Sequence, residues 1–204
     1  KLLFLCSPNN PTGNSFEVKS IERLIDEFKG IVVIDEAYID FSNKESWTSR
    51  LNEFSNLIIT QTLSKAHGMA GIRLGICYAS EEIISVLNRI KPPYNVNILT
   101  QQKAISQLEQ QELTQNQVTN ILKERDLLIT KLESIDYISK IYPSDANFVL
   151  VEVDDANKRY DQLIDKGIVI RNRTTQPGCE NCLRFTIGTP KENRTLIDTL
   201  KSIS

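Results

Sequence analysis

An α/β architecture, a mostly parallel sheet with flanking helices followed by a smaller α+β unit, is predicted by three features of the sequence. The first is the unbroken β-branched run Ile31-Val32-Val33-Ile34, the pattern of a strand buried on both faces as in a parallel sheet. The second is a strand–helix–strand rhythm over the first ninety residues, which is how parallel strands are connected. The third is the change of pattern after Lys91-Pro92-Pro93-Tyr94, beyond which strands and helices follow without that rhythm.

The elements follow in order. Leu2–Cys6 reads as a short strand that ends at Ser7-Pro8-Asn9-Asn10-Pro11-Thr12-Gly13, where two prolines and a glycine exclude helix and central strand. Asn14, with Glu17 three residues on, resembles a helix start, and Val18, Ile21, Leu24, Ile25 and Phe28 recur at helical spacing as far as Gly30. Strands are expected at 31–34, 57–60 and 74–79, and Ser80 is placed to cap a helix carrying Ile83, Ile84, Leu87 and Ile90. The Gln-rich stretch 101–120 reads as one or two surface helices leading into 121–132. The C-terminal part should contain a strand over 148–153, a helix around Tyr160, Leu163 and Ile164 closed by Gly167, and strands at 168–171 and 183–187. Thr189-Pro190-Lys191-Glu192 is a capping box with proline at the first helical position, opening a last helix that buries Leu196, Ile197, Leu200 and Ile203. The expected division is 1–95 as part of a large domain, 96–134 as connecting helices, and 135–204 as a small domain.

Composition narrows the function. The chain has 204 residues, 40% hydrophobic and 25% charged, with a net charge of −2, which suits a packed globular core. Its Lys and Arg are dispersed, so neither a nucleic-acid nor an anionic-membrane partner is expected. No run approaches the roughly 20 apolar residues of a membrane span. Four cysteines in a chain of this length suggest reduced thiols and a cytoplasmic setting. The sequence opens at Lys1 on an apolar run, with no initiator Met, as expected of a fragment.

Ligands in open α/β sheets lie beyond the C-terminal ends of the strands. There an amide (Asn10), a carboxylate (Asp35), an amine (Lys65) and a guanidinium (Arg73) are expected to converge. That set suits a phosphorylated pyridine aldehyde. Lys can form a Schiff base with the aldehyde, a buried carboxylate can keep the ring nitrogen protonated, and Arg with hydroxyls can hold the phosphate. Taken singly, each residue has an ordinary structural use as solvated surface, turn former or salt-bridge partner. Their joint occurrence in one order is what raises the functional reading.

The motifs Ser7 to Gly13, Asp35-Glu36-Ala37-Tyr38 and Thr62-Leu63-Ser64-Lys65, with Arg73, resemble the signature of fold-type-I pyridoxal-phosphate-dependent aminotransferases. The resemblance implies that Lys65 carries pyridoxal 5'-phosphate and moves the substrate proton, and that Asp35 partners the ring nitrogen. It also implies that Asn10 and Tyr38 bond the ring oxygen, and that Thr62, Ser64 and Arg73 hold the phosphate. In the second lobe, Asn147, Arg171 and Arg184 match substrate-binding positions, with Arg184 receiving an anionic end of the substrate through a bidentate contact. The segments 66–75 and 91–97 resemble the histidinol-phosphate aminotransferases, which implies a phosphorylated amine and 2-oxoglutarate/glutamate as substrates and a homodimer. An aromatic aminotransferase or a threonine-phosphate decarboxylase would share the cofactor residues. A non-catalytic folding or dimerisation module is the reading from another class, because members of the family have a further N-terminal part that helps grip the cofactor.

His67, the only histidine, matches no catalytic position and reads as structural. Cys179-Glu180-Asn181-Cys182 has redox or half-zinc spacing, but no second Cys or His pair accompanies it, so a surface loop is expected and no metal. Trp47 reads either as a loop anchor or as a partner contact.

Overall fold

A computed structural model describes residues 1–203, and their contacts form two compact units: Lys1–Asn9 with Ser15–Gln117, and Asn10–Asn14 with Val118–Ser204. The first unit holds a four-stranded sheet in the order β1 (Leu2–Cys6), β2 (Ile31–Asp35), β3 (Leu57–Thr62), β4 (Gly75–Ala79). β1, β2 and β3 run parallel, with Cys6 beside Asp35 and Asp35 beside Thr60, so three strands finish together at one edge.

β4 departs from the expected parallel continuation and pairs antiparallel to β3, with Gln61 opposite Ile76. The reason lies in the connection. Residues 63–74 form a loop with one 3-10 turn at Ala70–Ile72, and without a crossover helix the chain can only turn back on itself. β3 also runs two residues beyond its expected end.

Helix α1 (Val18–Glu27) buries Ile21 and Ile25, the i and i+4 positions of one face, against the sheet. Its start lies three residues later than Asn14 suggested. The Asn14 amide is engaged by Thr12 Oγ1 at 2.5 Å, and the extended residue at the cap is Glu17, which makes no side-chain cap. α2 (Glu81–Ile90) begins as expected at Ser80, whose hydroxyl accepts from Ile83 N. The Gln-rich stretch falls in two helices, α3 (Ile98–Leu108) and α4 (Gln111–Leu132), the second of which continues without a break into the second unit.

Glu36 is the polar anchor of the first unit. It follows β2, is 1% exposed, and accepts from Trp47 N at 2.7 Å, Ser46 Oγ at 2.6 Å and Gln61 Nε2 at 2.8 Å. A buried carboxylate is tolerated when donors surround it. These three donors pin the 3-10 segment Trp47–Glu53 against the sheet. Trp47 is buried there as a loop anchor, with the Arg50 guanidinium 5.2 Å from its ring centroid and ion-paired to Glu22 and Glu53.

The second unit is built on an antiparallel sheet in the order β5 (Ile138–Ile141), β6 (Phe148–Val153), β8 (Cys182–Thr186), β7 (Arg171–Asn172). β5 was not expected, since its half-buried sequence Ile-Ser-Lys-Ile carries only two apolar residues. β7 is shorter than expected, because Ile168 and Val169 form no ladder and only Arg171 and Asn172 pair with β8. One face of the sheet, with Val149, Val151, Leu183 and Phe185, packs on Leu128 and Leu132 of α4, Leu163 of α5 (Ala156–Asp165) and Leu196, Ile197 and Leu200 of α6 (Pro190–Ser202). α6 starts with the expected capping box, Thr189 and Glu192 bonding each other's backbone N–H. At its other end Tyr137 Oη donates to Leu200 O at 2.9 Å and Arg159 donates to Ile203 O, which supplies side-chain partners to carbonyls the helix leaves open. Burial pushes the Tyr137 phenol up to about 12, so it stays a donor across the neutral range. No helix among the described residues is long and apolar enough to cross a membrane.

Glu36→Ala should destabilise the first unit by about 2 to 4 kcal/mol, because three buried or half-buried donors would lose their acceptor at once. Urea denaturation followed by Trp47 fluorescence measures this, and an unchanged midpoint would show that the carboxylate does not hold the segment.

Candidate active site

Because β1, β2 and β3 end in register, the residues after β2 and β3 emerge from one edge of the sheet. Asp35 is the last residue of β2 and half-buried. Its Oδ1 accepts from Ala37 N at 3.1 Å, which folds the chain over so that Tyr38, three residues on, is buried beside it. Asp35 Oδ2 makes no hydrogen bond among the described residues and remains available as an acceptor.

Lys65 follows β3 by three residues, and its Nζ lies 5.1 Å from the centroid of the Tyr38 ring, over the π face. Its side chain makes no salt bridge among the described residues. The turn that presents it is set by Thr62, whose Oγ1 accepts from Ser64 N at 3.1 Å and donates to Leu74 O at 3.4 Å. Gly68 N donates to Lys65 O, and Gly68 has φ +66, a left-handed conformation that closes the loop behind the lysine. Arg73 also takes the left-handed conformation, at φ 56, and its Nη1 donates to Ala70 O at 2.8 Å. His67 Nδ1 is buried without a hydrogen-bond partner among the described residues. The first unit therefore carries Asp35, Tyr38, Thr62, Ser64, Lys65 and Arg73, and among them it sets Lys65 Nζ over the Tyr38 ring and bonds Ser64 N to Thr62 Oγ1.

The remaining candidates, Asn10, Asn147, Arg171 and Arg184, belong to the second unit. The segment 10–14 is fastened to the loop before β6. Asp145 N donates to Gly13 O at 2.7 Å, and a Cβ on Gly13 would lie 2.6 Å from Ser144 Oγ. Ser144 Oγ in turn donates to Phe148 O at 2.6 Å and accepts from Ala146 N. Arg125 Nη1 of α4 donates to Ala146 O at 3.0 Å, so the peptide before Asn147 is held from two sides.

Arg184, on β8, donates from Nη1 to Asn10 Oδ1 at 2.7 Å, and its guanidinium stands 4.7 Å from the centroid of the Phe148 ring. Arg171, exposed on β7, is its register partner. Directly opposed residues of antiparallel strands point to the same face, and like charges placed so repel. Two cations kept on one face of a sheet call for an anion. The sequence reasoning missed Gly13, Ser144 and Arg125 as positioning residues. The first two had a visible signal, a glycine after proline and a serine in a Pro-Ser-Asp turn, whereas Arg125 looked like any other helical surface charge.

The chain matches the family profile described as "Aminotransferase class I and II" over residues 1–200. The chain belongs to the class I and II aminotransferases. It is 62% identical over all 204 of its residues to the histidinol-phosphate aminotransferase of Flavobacterium johnsoniae, of which it covers 58%. Among solved structures, the histidinol-phosphate aminotransferase from Clostridium acetobutylicum superposes with a TM-score of 0.93 at 28% identity, covering 99% of this chain and 63% of that one. The histidinol-phosphate aminotransferase from Sinorhizobium meliloti in complex with pyridoxal-5'-phosphate shares the fold, with a TM-score of 0.88 at 24% identity and coverage of 100% and 58%. This aminotransferase chain thus spans a little under three fifths of the length of the curated relative.

Gly13→Ala should destabilise the second unit by more than about 1 kcal/mol, through both the positive φ and the collision with Ser144. Thermal unfolding of the variant checks this. A shift no larger than that of Gly71→Ala, where a Cβ meets nothing within 4 Å, would show that the fastening is not tight.

Proposed function

We propose that the chain contributes to a pyridoxal-phosphate-dependent transfer of an amino group between L-histidinol phosphate and 2-oxoglutarate. The observation that carries the reading is the placement of Lys65 Nζ, an amine without an ion pair among the described residues, over Tyr38 and beyond the strand ends that also present Asp35. The 62% identity to a histidinol-phosphate aminotransferase over the whole chain supports the substrate assignment.

The donor set fits the cofactor. A free amine suits an aldehyde, a carboxylate with an open oxygen suits a protonated ring nitrogen, and the phenol of Tyr38 suits a ring hydroxyl. The hydroxyls of Thr62 and Ser64 with the Arg73 guanidinium suit a phosphate. When bound, pyridoxal 5'-phosphate supplies an aldehyde that condenses with amines and a cationic ring that withdraws electrons from a bond broken at Cα.

The protein's share is positioning and proton transfer. With the cofactor bound, Lys65 Nζ would be the group placed to take the substrate Cα proton and to return it at a neighbouring carbon. Asp35, whose Oδ1 is used by Ala37 N, would offer its other oxygen to a protonated ring nitrogen. Arg184 receives a substrate anion in a planar, two-pronged contact, with Asn10 Oδ1 and the Phe148 ring fixing the guanidinium plane. Arg171 receives a second anion on the same face, and Asn147 orients the substrate between them. A homodimer fits the exposed apolar run containing Ile90, Tyr94, Ile98 and Leu99. Four cysteines without a disulfide fit a reducing cytoplasm.

Titration of the purified chain with pyridoxal 5'-phosphate, with borohydride reduction and peptide mapping, should give a saturable absorbance band and label on Lys65 that is lost in Lys65→Ala. Label spread over surface lysines would sink the assignment. In the natural gene product carrying this sequence, Arg184→Lys should raise KM for 2-oxoglutarate about tenfold to a hundredfold, the worth of one charge-assisted contact. If steady-state kinetics show KM unchanged, Arg184 is not the anion receiver.

A further inference from the structure

The Cys179-X-X-Cys182 motif is absorbed by none of the chemistry above, and the structure corrects its expected place. Both side chains are 1% exposed and share one small apolar cluster with Leu150, with Tyr142 packed against it. Both are free thiols, and no metal-binding group of His, Cys, Asp and Glu occurs among the described residues.

Cys182 N donates to Cys179 O at 3.0 Å, which closes a four-residue turn with Asn181 at φ 53. Such a turn keeps its first and last Cα atoms within about 7 Å. Disulfides bridge Cα atoms about 4.4 to 6.8 Å apart. The backbone is therefore already at bridging distance, and both thiols enter the same cluster.

We propose that Cys179 and Cys182 are a reversible disulfide modification site, oxidised by a low-molecular-weight disulfide. Cys179 as thiolate attacks one sulfur of the small disulfide and expels a small thiolate, leaving a mixed disulfide on Cys179. Cys182 then loses its proton, attacks Cys179 Sγ and expels the second small thiolate. Two protein thiols are oxidised, one small disulfide is reduced to two thiols, and the two released protons pass to them.

The surrounding groups set the order and the speed. Cys182 faces Glu152 across the β6–β8 ladder, Tyr142, Glu180 and Cys179; desolvation first, and then Cys179 and Glu152, push its thiol up to about 11. Desolvation first, and then Glu180, also raise Cys179, while Arg173 beside it draws it back toward the thiolate, and Cys179 is therefore assigned the first attack. Burial and high proton affinity make the reaction slow near neutrality and faster as pH rises, since the thiolate is the nucleophile.

The other two cysteines provide an internal control. Cys6 on β1 and Cys77 on β4 lie on opposite edges of their sheet, about 14 Å apart at three strand spacings, and cannot pair with each other. Exposed Cys77 should instead accumulate a stable mixed disulfide.

The test is to incubate the folded chain with oxidised glutathione at pH 7 and pH 9, quench with acid, denature, alkylate and digest with trypsin. Thr174–Arg184 carries both cysteines on one peptide. It should be recovered two hydrogens lighter and unalkylated, forming at least tenfold faster at pH 9 than at pH 7, and dithiothreitol should restore two alkylation sites. Cys182→Ser should trap glutathione on Cys179. Full alkylation of the peptide after the Cys77 adduct has reached completion, or two stable glutathione adducts on it, would overturn the proposal. Circular dichroism before quenching establishes that the reacting chain is folded.

Discussion

Parallel pairing of β1, β2 and β3 is the constraint on which the first unit depends. Parallel strands place their C-terminal ends at one edge, and here the ladder runs from Cys6 through Asp35 to Thr60. Each loop that leaves that edge begins with backbone whose position is fixed by interstrand hydrogen bonds. Glu36 N donates to Thr60 O, and Ser7 N donates to Asp35 O, so pairing continues one residue past the strands. Chemical groups two to five residues beyond, such as Tyr38 and Lys65, inherit that rigidity over short lever arms. β4 can reverse direction without cost to this arrangement, because it joins β3 on the side away from β2.

The second unit solves a different problem, that of holding two guanidinium groups on one sheet face. An antiparallel register fixes Arg171 opposite Arg184 whatever their mutual repulsion, because the pairing is driven by the opposite face, where Leu183 and Phe185 are fully buried. The face with Leu183 and Phe185 contributes stability at about 1.5 to 3 kcal/mol for each large buried side chain, and the other face is mixed, carrying buried Phe148, Leu150 and Cys182 beside the two arginines. The fastening of Gly13 to the 144–148 loop then sets Asn10 against Arg184. Gly13 is required there by its positive φ and by the closeness of Ser144.

Much of this was legible in the sequence, for physical reasons that differ between elements. The strand at 31–35 and the helix at 190–202 announced themselves, one by continuous β-branched burial and the other by a capping box, because both signals are local. β5 did not, since a half-exposed strand carries two apolar residues and takes the rest of its identity from β6 beside it. The antiparallel direction of β4 was also hidden, because direction belongs to the connection. Residues 63–74 hold enough apolar positions, Leu63, Ala66, Met69 and Ile72, to resemble a helical face. Gly68 and Gly71, together with Arg73 in the left-handed region, keep them from propagating one.

Asp35 and Glu36 show where such reading stops. They are adjacent carboxylates at the end of one strand, and composition gives no ground for telling them apart. The pleat separates them, because successive side chains leave a strand on opposite sides. Glu36 turns inward among Trp47 N, Ser46 Oγ and Gln61 Nε2, and every one of these donors is delivered by a segment at least ten residues away in sequence. Asp35 turns to the other side, where a single local contact with Ala37 N leaves its second oxygen open. A carboxylate saturated by three protein donors has little capacity left for a ligand, whereas one with an unused oxygen does. The difference in open acceptor capacity between the two carboxylates is therefore made by the long-range donors of Glu36 as much as by anything at Asp35. The motif resemblance singles out Asp35, but the physical reason, the donors that saturate Glu36, becomes visible only once the 46–47 turn and β3 have been placed beside the end of β2.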